Sequence, residues 1–192
     1  MTFLGKLKLW LSSSILETVV KSIAVYLVIA YSSIDEFADF TFAMLFYSYH
    51  ALALFGLHDG LSVMLPKLYA KKRLGFYADV IVYVRIFIIL CVAVYIIVCT
   101  LFLKFTNSDL LFMCLLSLLV VLPYQIYNTE IYKLRFRHQF SKVYRLRRFF
   151  VVTKVLIQFP LIFYFNVKGY FIGELLAFIV VLLWFKIGLS ME

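Results

Sequence analysis

The chain has 192 residues, 65% of them hydrophobic and 15% charged, and a formal net charge of +9. Soluble domains are ~45–50% apolar and ~25% charged, so this chain cannot clothe a water-soluble globule, and it is too apolar to stay disordered. Three prolines and seven glycines exclude a collagen-like or linker-rich chain, which leaves an integral membrane protein. Crossing the hydrocarbon as a helix takes about 20 mostly apolar residues. About six such runs are present, at 10–31, 40–65, 76–103, 110–132, 149–165 and 170–189. The stretches 80–103 and 110–122 lack the polar–apolar alternation of a membrane β-barrel strand. The expected fold is therefore all-α: one polytopic transmembrane domain over 1–192.

The first span follows Lys6 and Lys8 and carries Glu17 and Lys21 inside it. Those charges interrupt what a cleavable signal peptide needs as an apolar region, so it reads as a retained helix. An acidic segment with Asp35, Glu36 and Asp39 follows as an outer loop. Span two contains His50 and ends in a glycine-flanked His58-Asp59 pair. After a basic loop (Lys67, Lys71, Lys72, Arg73), span three carries Asp79 near its start and Arg85 deeper within. Span four holds Pro123 and Glu130, and a long basic link runs from Lys133 to Arg148. Span five contains Lys154 and Pro160, and Glu174 opens span six, where a carboxylate complements a helix N-terminus. The prolines inside spans four and five predict kinks. Cys91, Cys99 and Cys114 all lie in apolar runs and read as small buried hydrophobes, with neither disulfide framework nor metal site.

Lys and Arg set the orientation. Lys6, Lys8, the four of the 67–73 loop, the seven of the 133–148 link and Lys186 fall on one side; Lys104 and Lys168 fall on the other. Fourteen against two puts both termini in the cytoplasm. The net charge is then accounted for by topology and by contact with anionic lipid. A nucleic-acid partner is not expected, because the basic residues hug helix ends and form no separate basic domain.

Lys21, Arg85 and Lys154 remain, all inside spans. An ion near the bilayer centre costs roughly 2.5–3.5 kcal/mol on insertion scales, so it usually faces a partner or a wet cavity. Glu17 and Lys21 stand four apart in the order that favours a same-face pair. Either they neutralise each other, or Lys21 points into a polar cavity with Glu17 tuning it. Arg85 lies eight to ten residues, ~12–15 Å, beyond the basic loop, further than a guanidinium snorkels. Asp59 is either its counter-ion, or that of Lys154, or an interfacial polar residue. Most of these charges belong to the cytoplasmic halves of their helices, which predicts an inward-facing charged vestibule suited to an anionic head group. No phosphate-binding loop, metalloprotease or nucleophile-elbow signature is present, so neither an enzyme nor a cofactor is expected.

Several stretches carry a resemblance: Ile34-Asp35-Glu36-Phe37-Ala38-Asp39-Phe40, Leu54-Phe55-Gly56-Leu57-His58-Asp59-Gly60-Leu61, Lys71-Lys72-Arg73, the link from Arg135 to Arg145, and Gly169-Tyr170-Phe171-Ile172-Gly173-Glu174. Together they resemble the first six helices of polysaccharide biosynthesis or O-antigen flippases, in the multidrug/oligosaccharidyl-lipid/polysaccharide exporter superfamily. The resemblance implies a transporter in the inner (cytoplasmic) membrane that moves an undecaprenyl-diphosphate-linked oligosaccharide to the outer leaflet. It also implies a central cationic cavity and two rocking six-helix lobes. Carried over, Lys21, Arg85 and Lys154 contact the diphosphate, with Glu17 and Asp59 beside them as further substrate-binding candidates. Where such proteins often place an arginine after the glycine, this chain has Ser62-Val63-Met64-Leu65. The chain supplies about half the helices of such a transporter, so a second copy or a second lobe is an expected partner. Two other classes remain open. One is a non-transporting scaffold in an envelope-polysaccharide assembly; the other is half of a drug/cation antiporter working through Glu17.

Overall fold

The computed structural model describes residues 3–53, 67, 74–103, 108–137 and 139–189. Among them it places five helices in chain order: α1 (Phe3–Tyr31), α2 (Ile34–Ala53), α3 (Leu74–Leu103), α4 (Ser108–Phe136) and α5 (Phe140–Leu189). Three stretches, Leu11–Tyr31, Asp109–Arg135 and Phe140–Ile187, are long and apolar enough to cross a membrane. The chain is thus all-helical among its described residues and has the makings of a membrane-embedded protein.

Two helix starts differ from expectation. The acidic segment is not a loop, because α2 begins at Ile34. Ser33 and Glu36 form a reciprocal capping box there. The Ser33 amide donates to Glu36 Oε2 at 2.9 Å, and the Glu36 amide donates to Ser33 Oγ at 3.3 Å. Two otherwise orphaned donors are satisfied at once, and Asp35 and Glu36 favour the positive end of the helix. The basic link is likewise helical from Phe140 onward.

The 50 residues of α5 do not form one rod. At 1.5 Å per residue such a rod would measure ~75 Å, over twice the hydrocarbon thickness. The backbone leaves helical geometry at Asn166 (φ 48°, ψ −125°), close to the first central position of a type II′ turn, where glycine and asparagine are best tolerated. The chain reverses there into two antiparallel arms, 140–165 and 167–189. Phe149 stacks on Trp184 with ring centroids 4.3 Å apart, and Phe150 stacks on Phe178 at 4.6 Å. Gly169 and Gly173 make the approach possible. A Cβ on Gly173 would lie 2.6 Å from the Gln158 Cα, and one on Gly169 would run into the Leu161 carbonyl. Helical geometry continues through Pro123 and Pro160; the break falls at Asn166.

The chain divides into two compact units. In one, α1 packs along α5 through a single stripe, Ser13, Val20, Ala24 and Val28, all buried. The opposite side of α1 is also apolar, with Leu16, Val19, Ile23 and Tyr26 exposed. A helix greasy all round suits lipid on one side and protein on the other. The start of α2 joins this unit through Phe40, whose ring lies 5.1 Å from Tyr170 and 5.7 Å from Phe171. In the other unit, α3 packs on α4. Here Tyr95 donates its hydroxyl to the Phe46 carbonyl of α2 at 2.8 Å. Hydroxyls along these helices bond back to their own backbone, as Thr18 to Ser14, Thr129 to Gln125 and Thr100 to Ile96 do. A polar side chain in hydrocarbon has few other partners.

Candidate functional site

Two groups of charged side chains in the first unit are held by defined partners. The first lies within the α5 hairpin, where Lys154 Nζ sits 3.0 Å from Glu174 Oε1 with both side chains almost wholly buried (2% and 3% exposed). These residues are 20 apart in sequence, which an unbroken helix would separate by ~30 Å, so the reversal at Asn166 creates the pair. The Lys154 ammonium also faces the rings of Phe150 (5.7 Å) and Tyr170 (5.9 Å), giving the buried cation three favourable neighbours. One turn further along the first arm, Gln158 Nε2 donates to the Tyr170 carbonyl at 3.0 Å, while its Oε1 is buried with no hydrogen-bond partner among the described residues. Thr153 is buried beside this layer. The hairpin thus holds a polar seam of Lys154, Gln158 and Glu174 within an aromatic sleeve.

The second lies between α1 and the beginning of α5. Arg147 Nη1 donates a hydrogen bond to Ser14 Oγ, and its Nε lies 3.7 Å from Glu17 Oε2. Sequence reading assigns Arg147 to a cytoplasmic loop; the structure puts it on a helix and sets its guanidinium beside Glu17. Four residues on from Glu17, Lys21 is half-buried on α1.

The five sequence-predicted site residues are therefore distributed as follows. Lys154, Glu17 and Lys21 belong to the first unit. Arg85 lies on α3, inside the described helix, but its side chain is outside the described residues. Asp59 and its neighbours Gly56, His58 and Gly60 also lie outside them. The structure does not place Glu174 at a solvated helix start, as the sequence reading does; it is the buried counter-ion of Lys154. Its role, like that of Gln158, escapes a span-by-span reading. The available signal is that Lys154 and Glu174, of opposite charge, flank Asn166, twelve residues before it and eight after.

Among the described residues no three His, Cys, Asp or Glu side chains gather as a metal site. Compared with known proteins, the chain matches no family model, no curated protein and no solved structure.

Proposed function

We propose that this chain is a component of a membrane transporter of flippase type, carrying an anionic lipid-linked oligosaccharide across the cytoplasmic membrane. One observation carries the reading: ionised side chains are built into helices otherwise suited to lipid, at Glu17, Arg147, Lys154 and Glu174. Such groups are expensive in hydrocarbon and usually serve a polar pathway. In this reading the chain crosses the membrane six times, with both termini cytoplasmic, and supplies one lobe. A second copy or a second six-helix lobe supplies the opposite wall. Lys21 and Arg85 are each candidates to contact the diphosphate, and Asp59 is a candidate counter-ion, as the resemblance implies. Lys154 acts from behind, because Glu174 already neutralises it. No covalent chemistry is involved.

The test is complementation of a flippase-deficient strain by this chain with its partner lobe. Arg85→Ala should abolish growth while leaving the amount of protein in the membrane unchanged; full complementation by that variant removes Arg85 from the mechanism.

A second reading, a non-transporting scaffold, is favoured by the self-contained Lys154–Glu174 pair, which needs nothing from outside the hairpin. In that case charge reversal at Arg145 and Arg148 disrupts assembly more than Arg85→Ala does. Pull-down of polysaccharide-assembly proteins with each variant separates the two.

A further inference from the structure

We propose that the open end of the α5 hairpin binds the headgroup of an anionic phospholipid through Arg145, Arg148 and Lys186, with Tyr144 and Trp184 as its aromatic flank. The inference needs only that the hairpin lies in a membrane and is independent of the transport reading. On the first arm Arg145, Arg148, Val152, Leu156 and Phe163 are all exposed. Their spacings of three, four, four and seven put them on one helical face. That face changes from cationic to purely apolar between Arg148 and Val152, about 6 Å along the axis. Such a step belongs where headgroups meet hydrocarbon.

The second arm supports the same level. Trp184 stacks on Phe149 with an interplanar angle of 24° and stays partly exposed, so its indole sits at the depth of Arg148. Lys186, also exposed, lies just beyond it toward the same end. Trp and Tyr concentrate at this depth in membrane proteins. From Arg148 to the Asn166 turn is 18 residues, ~27 Å, close to the ~30 Å of hydrocarbon, so the turn falls at the other interface.

Arg148 holds its guanidinium 5.4 Å from the Tyr144 ring centroid. This is a cation–π contact, which a guanidinium can make while its N–H donors reach a phosphate diester. A free phosphate would use only the cations. A lipid also lays its acyl chain along Val152 and Leu156 immediately below, and this continuity selects the lipid. A cation near the membrane surface favours anionic over neutral lipid by about fivefold.

The experiment uses the full chain in nanodiscs with Trp10→Phe, which leaves Trp184 as the reporter. Phosphatidylglycerol or phosphatidylcholine, brominated near the head of the acyl chain, is added at equal mole fraction. Brominated phosphatidylglycerol should quench Trp184 several-fold more effectively, and the preference should vanish in the R145Q/R148Q/K186Q variant. Equal quenching by the two lipids with all three cations present overturns the proposal without depending on the folding of the variant. So does a preference that survives the triple substitution. Inorganic phosphate at millimolar concentration should leave the preference intact; its loss would assign the cations to free phosphate and overturn the lipid.

Discussion

The two units use charge in different ways. In the unit built from α1 and α5, two ion pairs join separate helical segments: Lys154 to Glu174 across the hairpin, and Arg147 to Glu17 between α5 and α1. In the unit containing α3 and α4, Glu130 pairs with Lys133 at 2.8 Å, three residues apart on one helix. The buried stripe of α3 is narrow, Val84, Ile88 and Val92, and most of its other described side chains are exposed. Its neighbour α4 buries Tyr127 together with Ser117, Gln125, Thr129 and Glu130, and the α5 arms likewise bury aromatic and polar residues together. Where apolar surface can face lipid as well as protein, hydrophobicity specifies a partner weakly. Opposite charges and close-fitting glycines then do the specifying.

The strongest way to break this contrast is to orphan one member of the hairpin pair. Lys154→Met or Glu174→Leu alone should lower stability by about 3–5 kcal/mol, since either leaves a buried ion without its partner. The double variant should return close to the parent, because the apolar replacements no longer have an ion to desolvate. Unfolding in mild detergent followed by circular dichroism measures both. A single variant as stable as the parent would show that the pair does not hold the arms together.

Steric specificity can be probed separately. Gly173→Ala puts a methyl against the Gln158 Cα and should cost about 1–3 kcal/mol by forcing the arms apart. A disulfide-trapping assay between cysteines placed at Phe149 and Trp184 should then lose efficiency. A third test lies in the other unit. Lys133→Met takes a partner from Glu130, which is buried, and should cost about 1–2 kcal/mol in the same unfolding measurement.

Much of the architecture is readable in the residues themselves. Runs of apolar side chains predict the helices, and the polar Asn166-to-Gly169 interruption marks where α5 turns back. The capping box at Ser33 and Glu36 is also written plainly, yet clustered acids read as a loop when polarity alone is weighed. Faces are harder to read. Along α1 the stripe against α5 and the side away from it are both apolar, so periodicity carries almost no signal. The candidate site suffers similarly. Taken alone, Glu174 has a sufficient explanation at a helix N-terminus and Lys154 has one near a headgroup. Only the depth each reaches in the folded hairpin makes them partners.

The single-residue reversal at Asn166 also bears on how the chain enters its membrane during synthesis. Threaded alone, the first arm would expose the bilayer to a lone ammonium and the second to a lone carboxylate, each resisted by a few kcal/mol. Delivered together, the arms present a neutral couple. The nascent first arm should therefore linger at the translocation machinery until Glu174 has emerged from the ribosome, and a chain truncated between Asn166 and Glu174 should be retained less securely than its greasiness alone would predict.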